Sequence, residues 1–166
     1  MVKSKIIDFP EAFKREIEER AFLYELKFHG CAECVLIPFL ELWGIENEQL
    51  SRAASALTGG LGRMGKTCGA LIGGALVLGL VFGRSDPKEG LEGLIEAQKA
   101  TYDLVKKFEA EFGSADCYSL TKCDFTNLKT IEDFIEGPRF KEICCNIVPK
   151  TAGMACDIIK KGPMGW

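Results

Sequence analysis

Eight cysteines and one histidine are the residues of this chain best equipped for chemistry: Cys31, Cys34, Cys68, Cys117, Cys123, Cys144, Cys145, Cys156 and His29. Thiolates ligate soft metals and iron–sulfur clusters, and paired thiols exchange with disulfides. No Ser–His–Asp set, carboxylate pair or histidine cluster points to hydrolysis, so no catalytic residue is assigned. The cysteines differ in setting. Cys31 follows Gly30 and Cys68 follows Thr67, each at the start of an expected helix. There the helix dipole and free N–H groups favour thiolate and lower the pKa, with Arg63 and Lys66 adding positive charge near Cys68. Cys117 falls in a loop after a long helix, and Cys144 and Cys145 lie on the last helix. Thiols from four segments can therefore converge at one end of a helical bundle. Cys34 and Cys156, each within an apolar helical face, read as small buried hydrophobes.

Local motifs are less informative. Cys31-Ala32-Glu33-Cys34 is a CxxC pair, but a thioredoxin-type role needs a βαβ setting. A zinc site wants a second close pair, and adjacent Cys144-Cys145 is poorly shaped to chelate one ion. His29 reads as a helix-end residue within reach of Cys31. Gly60-Leu61-Gly62-Arg63-Met64-Gly65-Lys66-Thr67 satisfies both G-x-x-x-x-G-K-[ST] and G-x-G-x-x-G. Both motifs require a preceding strand, and LSRAASALTG reads as helix. The glycines are better explained by two backbones packing closely beside Cys68, so nucleotide binding is not expected.

These residues need helices to position them. Ala12, Phe13, Ile17, Phe22, Leu23 and Leu26 recur at helical spacing from Phe9 to Phe28, with a stop at His29-Gly30. A second helix runs from about Cys31 to Trp43, with Pro38 a possible kink, and a third, capped by Asn47, reaches Ala56. Thr67 is expected to cap an apolar helix. A fifth spans about Lys88 to Phe112, with Leu91, Leu94, Ile95, Tyr102, Leu104, Val105 and Phe108 as its buried stripe. After a polar loop with a short helical turn over 118–129, Thr130 caps a brief helix. The last helix runs from Pro138 to Lys160, with a kink expected at Pro149. Alternating strands are absent. The expected fold is an all-α single domain over 1–166: about five to seven helices around a central, apolar, glycine-rich helix.

Composition limits the partners. Net charge is −3 and pI about 5.4, so there is no basic surplus for nucleic acid. Cys68 to Gly83 is uncharged but 16 residues long, short of the roughly 20 that span a bilayer, and no membrane span is expected. The opening residues MVKSKIIDFPEAFKREIEER lack the apolar core and cleavage site of a secretory signal, so a cytoplasmic location is expected. Thiols stay reduced there, and a chain of this length folds without disulfide staples.

The stretch Gly59 to Gly74, GGLGRMGKTCGALIGG, resembles the signature of the C_GCAxxG_C_C family of redox-active proteins. Its CGAxxG element is Cys68 to Gly73, its upstream cysteine is Cys31 in HGCAECVL, and its first downstream cysteine is Cys117 in FGSADC. The last falls in ICCNIV, at Cys144 or Cys145. The resemblance covers about residues 18 to 160. It implies an all-helical module of prokaryotic origin with four key cysteines. Members are regarded as redox proteins, and a similar module in split-Soret cytochromes is associated with an iron–sulfur centre. Four thiolates suit a [2Fe–2S] cluster. Electron transfer through such a cluster, held by Cys31, Cys68, Cys117 and Cys144 or Cys145, is the function expected, with a redox protein as partner. Zinc, or thiol–disulfide exchange through Cys31–Cys34 or Cys68–Cys117, stands as the alternative, and a homodimer is open. The extra cysteines Cys34, Cys123 and Cys156 depart from the family pattern.

Overall fold

The computed structural model describes residues 10–166. Phe9, the expected start of the first helix, lies outside the described residues. Eight α-helices and no strand are present among them: α1 Glu11–Phe28, α2 Cys31–Trp43, α3 Glu48–Ser55, α4 Gly69–Phe82, α5 Glu92–Phe112, α6 Cys117–Thr121, α7 Leu128–Glu136 and α8 Pro138–Lys161, with a 3-10 turn at Pro87–Glu89. The five-residue α6, in the segment expected as a loop with a short turn, brings the number to eight. No helix of the described residues is long and apolar enough to cross a membrane.

The apolar helix α4 is central, packed against α2, α5 and α8. Leu71, Val77, Leu78 and Val81 on it are buried, each contributing about 1.5–3 kcal/mol. Leu71, Val77 and Leu78 meet Leu36 and Phe39 of α2, Leu104 and Phe108 of α5, and Val148 and Ala152 of α8 in one core cluster, while Val81 packs with Phe13, Trp43 and Ile159. Two glycines of the CGAxxG element set the α2–α4 distance. A Cβ on Gly73 would lie 2.5 Å from the Ala32 carbonyl oxygen, and one on Gly69 would lie 2.4 Å from Cys31 Sγ. Positions 69 and 73 are one helical turn apart, so together they form a smooth track for the start of α2. Gly73→Ala is expected to cost about 1–3 kcal/mol by overpacking against backbone. That outweighs the roughly 1 kcal/mol Ala gains in helix propensity. Thermal unfolding would register the balance as a lowered Tm, and an unchanged or raised Tm would refute the close approach.

Several boundaries differ from expectation for local reasons. Thr67 does not cap α4. It pairs with Asp116 in an isolated antiparallel bridge, and Cys68 takes the N-cap position without a side-chain cap bond. Asn127, not Thr130, caps α7, accepting from Lys129 and Thr130 N–H. The Thr130 hydroxyl is turned back onto the Asp124 and Asn127 carbonyls. α5 begins at Glu92 because Gly90, at φ 84°, separates it from the 3-10 turn. Leu91, Ile95 and Tyr102, expected in its stripe, are exposed. Asp103 is buried instead, accepting the Met164 and Gly165 N–H groups of the carboxy-terminal tail. α8 continues through Pro149 as one helix.

Candidate functional site

α1 presents Ile17, Ala21 and Glu25 inward, one turn apart. Two of them are apolar and the third is a carboxylate that is 2 % exposed. The expected apolar positions Leu23 and Leu26 face outward. Beyond Glu25, His29 takes the left-handed conformation that ends α1, and its ring stands edge-on to Phe140 at 4.9 Å.

The glycine loop folds on itself. Gly62 N–H donates to Ala56 O, Arg63 to Thr58 O, Met64 to Leu61 O, Gly65 to Gly59 O and Lys66 to Gly60 O. Amides committed in this way are not available to cradle phosphate. A Cβ on Gly60, at φ 71°, would sit 2.7 Å from Cys117 Cβ, so the loop lies directly against that cysteine. The next residues then zip to the strand-like approach to α6. Cys68 N–H donates to Ala115 O at 2.8 Å, Cys117 N–H to Lys66 O at 2.6 Å and Tyr118 N–H to Gly65 O at 2.9 Å. Cys68 and Cys117, distant in sequence, are thereby joined through backbone bonds.

One cavity of about 50 Å³ lies behind this junction, lined by Cys31, Cys68, Cys117 and Cys144 together with Glu25, His29 and apolar side chains of α6, α7 and α8. Of the adjacent pair on α8, Cys144 reaches this cavity. Cys145 does not line it but packs with Cys123, Phe134 and Phe140 in the small adjoining cluster, whose two phenylalanines form part of the cavity wall. Cys156 is buried in the main core, as expected. Cys34 is buried too, yet its thiol bonds the Glu25 carboxylate.

The thiols are not the acidic ones expected of helix starts. Burial pushes Cys68 up to about 12, and Cys117 beside it adds to this, although the Ala70 and Leu71 amides favour the thiolate. Burial likewise raises Cys117 to about 12, with Cys31 contributing. Cys31 is raised by burial and then by Glu25 and Cys68. Cys144 is raised by burial and then by Glu25 and the other three thiols. Each of the four therefore feels at least one of the others, and desolvation overrides the helix dipole. Arg63 and Lys66 are exposed.

Glu25 is the residue that sequence reasoning missed. Burial raises it to about 7, and its Oε2 is buried without a hydrogen-bond partner. The signal was available: extending the i, i+4 line from Ile17 through Ala21 lands on a carboxylate where an apolar residue is due. A buried, unbonded carboxylate oxygen is costly, which is why burial favours the protonated form of Glu25. The volume admits only a few atoms, far from the 300–1,000 Å³ of typical organic-ligand pockets. Among the described residues, no three Cys, His, Asp or Glu side chains are close enough to hold a single metal ion.

A family model described as "Putative redox-active protein (C_GCAxxG_C_C)" matches residues 29–158. No curated protein and no solved structure matches the chain.

Proposed function

Because the chain belongs to the C_GCAxxG_C_C family of redox-active proteins, we propose that it transfers electrons through a [2Fe–2S] cluster held by Cys31, Cys68, Cys117 and Cys144. The observation that carries this reading is the convergence of those four thiols, from α2, the start of α4, α6 and α8, on one small cavity. When bound, such a cluster stores one electron between four thiolates. A binuclear cluster asks for two thiolates on each iron, whereas a structural zinc needs four donors around one ion.

The chain's own residues prepare the centre. Gly59 and Ala32 direct N–H groups at Cys31, and Ala70 and Leu71 at Cys68, which is how protein amides raise cluster potentials. Phe134, Phe140, Ile147 and Val148 line the cavity and limit water. Thiol–disulfide exchange is less well supported. The attacking species is thiolate, and burial holds Cys31, Cys34, Cys68 and Cys117 protonated at neutral pH. A metal centre must displace the same protons, and its own bonds to the thiolates offset that cost.

Protein purified without oxygen is expected to be coloured, with iron and acid-labile sulfide in equal amounts. A colourless product that still takes up no iron on reconstitution with ferrous iron and sulfide would overturn the proposal.

A further inference from the structure

We propose that the surface formed by the 59–66 loop and the first turn of α6 is the docking face for an acidic one-electron carrier protein. The inference rests on the redox reading above and extends it to the partner.

Leu61, Met64 and Tyr118 are 50 %, 62 % and 52 % exposed. Single exposed hydrophobics are ordinary, but these three are gathered by the backbone bonds that join the two segments. Tyr118 N–H donates to Gly65 O, and a Cβ on Gly65 would lie 3.0 Å from Tyr118 Cβ. Around them stand Arg63, Lys66 and Lys122, all exposed, with Lys122 Nζ 5.9 Å from the Tyr118 ring centroid. The one carboxylate on these segments is Asp116, committed to the Ser119 N–H at the α6 cap and within electrostatic reach of Lys66 and Lys122. Asp124, Asp133 and Arg139 flank Tyr118 and Lys122 in the adjoining groove, and Lys129 pairs with Asp133, so five cations (Arg63, Lys66, Lys122, Lys129 and Arg139) stand against three carboxylates and the face is positive on a chain whose net charge is −3. An apolar centre with a charged rim is the anatomy of a protein interface, and complementary charge speeds the encounter.

Its position makes the partner a redox protein. Tyr118 adjoins Cys117, and Lys66 is two residues from Cys68. Gly60 lies directly against Cys117. Gly59 and Cys117 line the thiol cavity, so the segments that form this face also form part of the cavity wall. Electron transfer falls steeply with distance, so a carrier seated here has a short path to the thiols.

The test is anaerobic stopped-flow mixing of the reconstituted, oxidised protein with reduced flavodoxin, an acidic carrier. One electron leaves the flavin hydroquinone, and the thiolate-held centre is reduced by one. The second-order rate constant is expected to fall as salt is added. In Arg63→Glu/Lys66→Glu/Lys122→Glu it is expected to fall about tenfold or more at low ionic strength, with iron content and absorption spectrum unchanged. A control, Lys106→Glu/Lys107→Glu on the exposed face of α5, is expected to keep the wild-type rate. A triple variant as fast as wild type, or a control slowed equally, would overturn the docking face. So would binding of the face to phosphatidylserine vesicles without exchange with flavodoxin. If the chain proves free of iron, the redox reading fails separately. Docking is then read by titrating flavodoxin into the iron-free chain: amide shifts over 59–66 and 116–122 support the face, and their absence overturns it.

Discussion

Cys144→Ser is expected to abolish iron binding, while Cys145→Ser leaves the iron content of the reconstituted protein at the wild-type level. The two residues are adjacent on α8, so their side chains leave the helix about 100° apart. Cys144 lines the thiol cavity and is raised by Cys31, Cys68 and Cys117. Cys145 packs on Cys123, Phe134 and Phe140. Loss of an outer partner typically costs 10–100-fold in metal affinity, so loss of a ligand should reduce bound iron and sulfide by at least about tenfold. Cys145→Ser instead places a hydroxyl in an apolar cluster, at a cost of about 1–3 kcal/mol. Its signature is a lowered Tm without loss of colour. Iron and sulfide per chain, with far-ultraviolet circular dichroism to confirm folding, distinguish the two. The reverse pattern would move the fourth ligand to Cys145 and overturn the assignment.

The second large effect belongs to Glu25 in the cluster-free protein. Burial raises this carboxyl from 4.5 to about 7. Between those values the folded chain holds a proton that the unfolded chain has released. The associated stability is fully present below the unfolded value and is lost as pH rises through about 7. At about 1.4 kcal/mol per pH unit, the loss approaches about 3 kcal/mol. Urea unfolding of the iron-free chain should therefore show it more stable at pH 5 than at pH 8. Glu25→Gln should remove most of that difference and be the more stable protein at pH 8. Glu18, also raised by burial, supplies a remainder of the same sign. The thiols titrate above this window. Equal pH dependence in both proteins would mean that Glu25 does not carry the buried charge. With the cluster bound the pH dependence should move to higher pH, because a core of two ferric ions and two sulfides held by four thiolates is net negative and raises the neighbouring Glu25 carboxyl further.

The helices themselves were legible because each has a local cause. Gly44 and Gly113 stop α2 and α5 in the left-handed conformation, and the α4 run is apolar on every face, as a central helix must be. Expectation and structure part where two local candidates compete. Asn127 and Thr130 can both cap a helix, and the turn at Asp124 took the threonine hydroxyl. Leu91, Ile95 and Tyr102 have the spacing of a buried stripe, but the inner face of α5 is chosen by what packs on it. There the carboxy-terminal tail, bonded through Asp103, occupies a position that periodicity had given to apolar residues.

The sequence by itself determined the composition of the site: cysteines at helix starts, a glycine loop ahead of Cys68, and a CGAxxG element whose glycines permit close helices. Local chemistry fixes such features, since capping, chain reversal and the space a side chain takes all act over a few residues. Tertiary structure alone decided which thiols meet. The choice between Cys144 and Cys145 depends on the rotation of α8 against α4 and α6, and adjacent positions of the same residue type carry no record of it. Tertiary structure also decided the acidity of those thiols. The helix-start dipole is a local effect, but desolvation is a property of the whole packed molecule, and at this site it is the larger of the two.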